Sequence, residues 1–372
     1  MGVIDAVETL VHRTSWHEIR NSELTVSKTA QGVEELQIGR ILLVNNQKDK
    51  ALIIEDMTSS LDDNYIIYNC IPLKGMLDYR VCHPTDSGNF AAKTQSQVMM
   101  ELASKNLVTQ TRDNDRKFWN AAGTINLFKV AALKTFGDTI DFAVDWKTGY
   151  LGEAVVSVAK MFGITATAPL GWNVYITEDY SAFEMDVWQG INKHINQDIL
   201  PPVVFSEEFG NVKNATFEYS IKDWRNIAYM VWEDVNEILQ VNTVGNTAHG
   251  ATKSFNRKEI IIDSSKELSG EVTNEGRSEL NQRPQIESFT AEIINNEKTM
   301  TTYIEDWNLG DIVTIQSKQV LKDKLISIDA QITEIEEMYS AGEYSVNATF
   351  GEGRLSIFQL IKQAIEQKKS RK

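Results

Sequence analysis

The 372-residue chain carries 37 Lys and Arg against 52 Asp and Glu, a formal net charge of −15, with 42% hydrophobic and 24% charged residues. That composition is globular and spreads over about two to four domains, and its acidity argues against gripping nucleic acid through phosphates, which needs clustered cations. No apolar run reaches the roughly eighteen residues of a membrane span, and Met1-Gly2-Val3-Ile4-Asp5 lacks the basic and apolar blocks of a signal peptide.

The first part of the chain reads as strands. Glu23–Ser27 alternates, Arg40–Val44 and Lys50–Glu55 are short apolar runs, and Asn64–Ile71 is another. Turn clusters at Asn45–Asp49 and Ser59–Asn64 separate them. Residues 1–92 are therefore expected to form a small barrel or sandwich. Cys70 and Cys82 share no ligand spacing and are expected as buried free thiols of a protein assembled in the cytosol.

The period then changes. Val98, Met99, Leu102, Ala103 and Leu107 fall at helical spacing. Leu151, Ala154, Val155, Val158, Ala159 and Phe162 repeat it, with Gly163 placed to end the helix. Strands are expected at Thr139–Val144 and Asn173–Thr177, so residues 93–202 make an α+β unit.

Pro201-Pro202 punctuates the chain, and strand character resumes at Val203–Ser206, Asn214–Tyr219 and Asn226–Trp232. Val241–Lys258 is polar and glycine-bearing, Glu259–Asp263 is apolar again, and Asn274–Arg283 reads as a short polar helix. Strands dominate from Pro284: Glu287–Ile293, Asp311–Ile315, Ala330–Glu336 and Glu343–Thr349. Ahead of the second of these, Asn308-Leu309-Gly310-Asp311 is a turn, because Gly310 tolerates a positive φ and Asp311 can bond nearby amides. Leu355–Lys368 closes the series as a helix with Ile357, Phe358, Leu360, Ile361, Ala364 and Ile365 on one broad face and a basic end.

Chemistry is hard to place on this frame. His12, His17, His83, His194 and His249 are scattered, His12 and His17 lack the i, i+4 spacing of a helical zinc pair, and all five are expected at the surface. Asp138, Asp141 and Asp145 lack calcium-loop spacing. Gly351-Glu352-Gly353-Arg354 sits between a strand and a helix but lacks the third glycine and the Lys-Ser/Thr of phosphate loops. Neither G-x-S-x-G nor H-E-x-x-H occurs. The eight tryptophans (Trp16, Trp119, Trp146, Trp172, Trp188, Trp224, Trp232 and Trp307) are spread through all regions and are expected in cores. No catalytic, metal-binding or cofactor-binding residue is assigned.

A set of short motifs does run nearly the whole length. It comprises Trp16-His17-Glu18, Gly39–Leu43, Ile53–Asp56 and Cys70–Val81 with Pro72 and Gly75. It continues through Pro202–Ser206 with Phe205, Gly210-Asn211, Arg225-Asn226 and Arg283-Pro284. Trp307–Val313 with Gly310 and Asp311, Ile332–Glu337, and Thr349–Gly353 with Gly351 and Gly353 complete it. In order and spacing the set resembles siphophage and prophage minor tail proteins of Gram-positive hosts, the distal tail or baseplate hub proteins.

The resemblance implies a fold that is α+β and mainly β: two tail-tube-like antiparallel β-barrels, an inserted α+β region and a C-terminal helix. The first barrel is residues 1–92, and the second is discontinuous, 203–232 and 285–351. Residues 233–284 form an excursion packing with the α+β domain of 93–202, and 352–372 the helix, a docking element for a partner or for its own barrel. The implied protein is a homotrimer in the virion, assembled in the host cytoplasm. It forms a pseudo-sixfold ring between the tail tube or a distal tail ring and the spike, fibre or tape-measure protein, and DNA passes through without specific binding. The chain stops about twenty residues past the second barrel, so wall digestion and receptor binding are expected in other proteins. The rival readings are a peptidoglycan hydrolase with a carboxylate pair in the α+β region and a carbohydrate-binding adhesin using exposed tryptophans.

Overall fold

The computed structural model describes residues 3–4, 7–83, 88–110, 112–144, 148–160, 170–234, 236–245, 255–264, 269–281, 283, 285–294, 301–321, 324–340 and 342–351. The segment 352–372, with Gly353 and the expected helix, lies outside them, as do Gly163, Asp145, Trp146 and His249.

Five strands open the chain: β1 (Val7–Ser15), β2 (Ser22–Ser27), β3 (Ile41–Leu43), β4 (Ala51–Thr58) and β5 (Tyr65–Pro72). They pair antiparallel in the order β1-β2-β5-β4-β3. Alternation sends Leu24, Val26, Tyr68 and Cys70 inward and leaves Glu23, Ile67 and Asp56 exposed. Both cysteines are free and buried, as expected, and burial pushes the Cys70 thiol up to about 12.

The middle region holds β6 (Asn89–Thr94), α1 (Gln95–Ala103), β7 (Phe128–Val130), β8 (Thr139–Ala143), α2 (Leu151–Ala159), β9 (Gly171–Ile176) and β10 (Phe183–Trp188). A capping box between Thr94 and Gln97 starts α1. The helices pack on each other and α2 on the 3-10 turn Leu73–Tyr79. One core therefore mixes Ile53, Ile71 and Leu73 from the first block with Met99, Val155 and Trp172. This end of the first sheet is apolar on both faces.

The last region holds β11 (Val204–Ser206), β12 (Val212–Ser220), β13 (Ile227–Glu233), β14 (Leu239–Gly245), β15 (Glu259–Asp263), α3 (Ser269–Asn281), β16 (Ile286–Ile293), β17 (Ile312–Leu321), β18 (Lys324–Ser340) and β19 (Glu343–Gly351). Strands β12-β16-β19-β18 pair antiparallel, β17 adds to β18, and β11 adds parallel to β17. Their core gathers Phe205, Phe289, Trp307, Val313, Ile332 and Phe350. Strand β1 pairs antiparallel with β18, from Thr9 opposite Ser340 to Ser15 opposite Glu334. That single pairing joins the two β blocks into one eleven-stranded sheet, an open path from β12 to β3. The protein is mostly β, in several sheets.

Two strands escape the periodicity. In β1 the buried positions are His12 and Ser15, both polar and, three residues apart, on opposite faces of the strand. In β14 Asn242 turns toward α3 and its amide bonds Thr273 at 3.2 Å, while Leu239 and Val241 point out. Strand β13, grouped by sequence with the second block, pairs instead with β14 and, in parallel, with β15. Helix α3 covers that sheet and also touches β8.

Candidate functional site

The sequence motifs converge where the blocks meet. Strand β18 serves β17 with its first half and β1 with its second, and its register shifts between Ile332 and Glu334. A β-bulge there lets consecutive carbonyls face the same edge: Ile332 O accepts from Gly310 N (2.8 Å) and Thr333 O from Trp16 N (2.9 Å). The Trp16 carbonyl accepts from Trp172 N at 3.2 Å, and Trp172 Nε1 donates to His17 O at 2.8 Å. Trp16 thus ties both blocks and the α+β region.

Its ring, 8% exposed, lies against two glycines. A Cβ would stand 2.4 Å from the ring at Gly171 and 2.3 Å at Gly310, where φ is +90°. At Gly190 a Cβ would stand 2.1 Å from Gly310 O, which Gln331 Nε2 also bonds at 2.9 Å. Gly171 and Gly190 escaped the sequence reading. A glycine at a strand end is the signal of close backbone approach, but nothing local says which chain approaches.

The turn residues have distinct roles. Asp311 accepts from Asn308 N (2.9 Å) and Lys193 Nζ (2.8 Å), and Trp307 meets Phe205 edge to face at 5.2 Å. Asn211 bridges Ser206 N (2.8 Å) and Val204 O (2.7 Å) across a turn ended by Gly210 at φ 65°. Asn226 holds the start of β13 through Lys258 N (2.9 Å) and Asn256 O (3.2 Å). Pro72 precedes the 3-10 turn in which Gly75 packs so closely that a Cβ would be 2.8 Å from Ile71. The Gly351 carbonyl accepts from Thr333 Oγ1 at 2.6 Å.

Beside the joint, a buried polar cluster straddles β1, β18 and β19. Glu337, 1% exposed, accepts from Lys50 Nζ (2.7 Å), His12 Nδ1 (3.3 Å), Tyr344 OH (2.8 Å) and Tyr339 OH (3.0 Å). Burial alone would raise its pKa, but the His12 hydrogen bond and the Lys50 charge bring it down to about 2. His12 and His17 are 1% and 3% exposed, which corrects the expectation of surface histidines. Four tryptophans (Trp16, Trp172, Trp224 and Trp307) are buried and three half-buried among the described residues, so none is an exposed stacking platform.

Lys74 sits under the joint, its ammonium donating to Ser15 O at 2.6 Å and lying 5.1 Å from the Trp172 ring. Burial drives its pKa down to about 7, with Glu18 and Glu334 opposing and Arg20 assisting. The folded value lies below the ordinary 10.5, so the charge costs stability fully below about pH 7 and the cost fades as pH rises toward about 10. At about 1.4 kcal/mol per unit, this exceeds the about 1 kcal/mol of the hydrogen bond to Ser15. Lys74→Met is therefore expected to raise the thermal midpoint at pH 6, with a gain that shrinks toward about pH 10. A pH-independent change in calorimetry would contradict that.

The opposite face of the long sheet is mostly polar, with Val11, Ile67 and Met338 among its apolar members. Cross-strand neighbours Lys213, Glu292, Asn347, Glu336 and Arg13 form one row, and Ser345, Met338, Val11, Glu23, Asn69 and Asp56 another. Among its described residues Lys213 pairs with Glu292 (2.6 Å), Arg13 with Glu336 (2.7 Å) and Arg20 with Glu334 (3.0 Å). Glu23, Asp56 and Glu343 add exposed acidity along it.

No group of three or more His, Cys, Asp or Glu suited to a metal ion occurs among the described residues, and no described helix is long and apolar enough to cross a membrane. In a shallow depression lined by Asn46, Lys48, Asp49, Tyr175, Glu178 and Tyr180, Lys48 bonds Glu178 at 2.7 Å and covers the Tyr180 ring.

A mostly β chain built on one eleven-stranded sheet with three smaller sheets shares its fold with phage tail proteins. The 43 kDa tail protein of prophage MuSo2 from Shewanella oneidensis shares it at a TM-score of 0.54 and 11% identity, over 93% of this chain and 94% of that one. A tail protein from Neisseria meningitidis MC58 matches at 0.52 and 10% identity, over 93% and 92%. Prophage tail protein gp18 of Listeria monocytogenes EGD-e matches at 0.50 and 11% identity, over 98% and 93%. The chain belongs to the siphovirus ReqiPepy6 Gp37-like protein family, whose model matches residues 1–352. No curated protein sequence matches it.

Proposed function

We propose that this chain is a non-enzymatic tail hub. In this reading three copies form a ring at the distal end of a phage or phage-derived tail tube, in the virion after assembly in the host cytoplasm. The carrying observation is the β1–β18 pairing, which runs one sheet and one polar face through both β blocks. Two tube-like blocks per chain give six in a trimer, the symmetry match a hexameric tube requires. The blocks then close into a barrel wall only in the assembled ring. The family and the tail-protein fold support this placement.

The polar face would line the DNA path. Its described cations at Lys213, Arg13 and Arg20 are held by carboxylates and exposed acids accompany them, which disfavours phosphate binding and keeps the passage slippery. The ring would meet the tail tube or a distal tail ring above and a spike, fibre or tape-measure protein below, with no cofactor. Cryo-electron microscopy of tails is expected to show three copies with Glu23, Glu336 and Glu343 facing the lumen. A different copy number, or a lumen lined by the opposite face, would overturn the reading. A peptidoglycan zymogram of the isolated protein should show no clearing.

A further inference from the structure

Several cations of this acidic chain meet carboxylates: Arg13 with Glu336, Arg20 with Glu334, Lys134 with Asp186 and Lys193 with Asp311. Arg80 and Arg116 do not. Arg80 follows the 3-10 turn Leu73–Tyr79, and Arg116 ends a short turn, Asn114–Arg116, between α1 and β7. Arg80 Nε donates to Arg116 O at 2.7 Å and Nη1 to Tyr79 O at 3.0 Å. Arg116 Nη2 donates to Val81 O and, at 3.2 Å, to Asn106 Oδ1. Asp113 and Asp115 stand exposed beside Arg116, yet among the described residues no carboxylate hydrogen-bonds either guanidinium.

The donors are held in place but only partly used. Each guanidinium spends two of its five N–H groups on those partners, and Arg116 Nε is buried with no acceptor. The Arg80 guanidinium carbon lies 4.7 Å from the centroid of the Phe118 ring, which backs it. Asn106, 0% exposed, anchors Arg116 while accepting from His83 N at 2.9 Å and donating to Leu102 O at 2.9 Å. It belongs to the π-helical turn Ser104–Val108, a widened turn of the kind frequent at functional sites. Keeping the two cations together costs energy, because burial and the Arg116 charge both lower the Arg80 pKa, with Asp113 opposing.

We propose that Arg80 and Arg116 form a binding site for a dianionic phosphate group, either the free ion or the end of a phosphomonoester. Guanidinium N–H groups held in a fixed fork are the donors that phosphate oxygens accept best. Charge decides between oxyanions. A dianion neutralises both arginines, whereas a single carboxylate leaves one of them uncompensated. The fit is also local: Asn106 and Phe118 fix the two guanidiniums before any ligand arrives, so little side-chain freedom is lost on binding. Neither arginine lies on a strand of the long sheet, so the site is separate from the polar face proposed to line the DNA path.

The test is calorimetric titration of the full chain with inorganic phosphate, at constant ionic strength in chloride. One saturable site is expected, weakened at least about tenfold by Arg80→Gln, the worth of one charge-assisted hydrogen bond. Arg80→Lys keeps the charge and loses the fork, so it should remain folded by circular dichroism and still bind phosphate more weakly than the wild type. Titration without saturation would overturn the proposal, and so would an affinity unchanged in both variants. Acetate, a monoanion, should bind at least about tenfold more weakly than phosphate. Equal affinity for acetate would point to the carboxylates of a partner protein instead and would also overturn it. Glycerol phosphate separates the two sources: binding tighter than that of inorganic phosphate assigns a monoester, and equal or weaker binding assigns the free ion.

Discussion

Trp16→Ala is expected to destabilise the protein by about 3–5 kcal/mol, the cost of deleting a buried large aromatic, read as a fall in urea midpoint. The ring fills the handover between β17 and β1 on β18, with glycines on either side leaving no room for a Cβ. Its loss removes apolar burial and opens a cavity that the backbones of Gly171 and Gly310 cannot refill, because each is held by its own ladder bonds. A double-mutant cycle makes the argument specific. Gly171→Ala alone drives a Cβ to 2.4 Å from the ring, which forces backbone movement. In the Trp16→Ala background that clash is gone, so the two costs should fall short of their sum by about 1–3 kcal/mol. Strict additivity would mean that Trp16 does not set the spacing of the joint.

Glu337→Gln should cost about 3–5 kcal/mol, because it leaves the Lys50 ammonium buried without its counter-charge. The wild-type carboxyl also shapes acid stability. Its folded pKa of about 2 lies below the ordinary 4.5, so its contribution is complete above about pH 4.5 and drains away as pH falls toward 2, roughly 3 kcal/mol in all. Glu18 falls in the same window. Burial would raise it, yet the Lys160 and His17 charges hold it near 2. Glu337→Gln is therefore expected to flatten the fall of urea midpoint between about pH 5 and 2 without abolishing it. An unaltered acid slope would show that Glu337 carries no such linkage. Glu337→Leu with Lys50→Met separates charge from packing, since replacing both partners with apolar groups is often neutral.

Much of the β content was legible, because inward positions in β2, β5, β16 and β19 are apolar and alternate with polar ones. Both helices of the α+β region were legible for the same reason at a longer period, and α1 even carries its capping box. The motif residues Trp16, Gly310 and Asp311 were visible as motifs, but their convergence was not. Gly171 and Gly190 stand far from Gly310 in sequence, and a glycine states that something comes close without saying what. His12 read as a surface residue because polar residues usually are exposed. Its partner Glu337 is 325 positions away.

The chain's own periodicities determined which segments become strands or helices, since those choices rest on local backbone preference and on which face each side chain takes. Its motif order carried the family. The tertiary structure alone decided that β1 stitches the two blocks through β18, that β13 leaves the second block for a sheet of its own, and that a charged cluster lies inside the seam. Strand partnership is chosen by register and burial between distant segments, and a buried polar group is stable only once its partners have assembled around it.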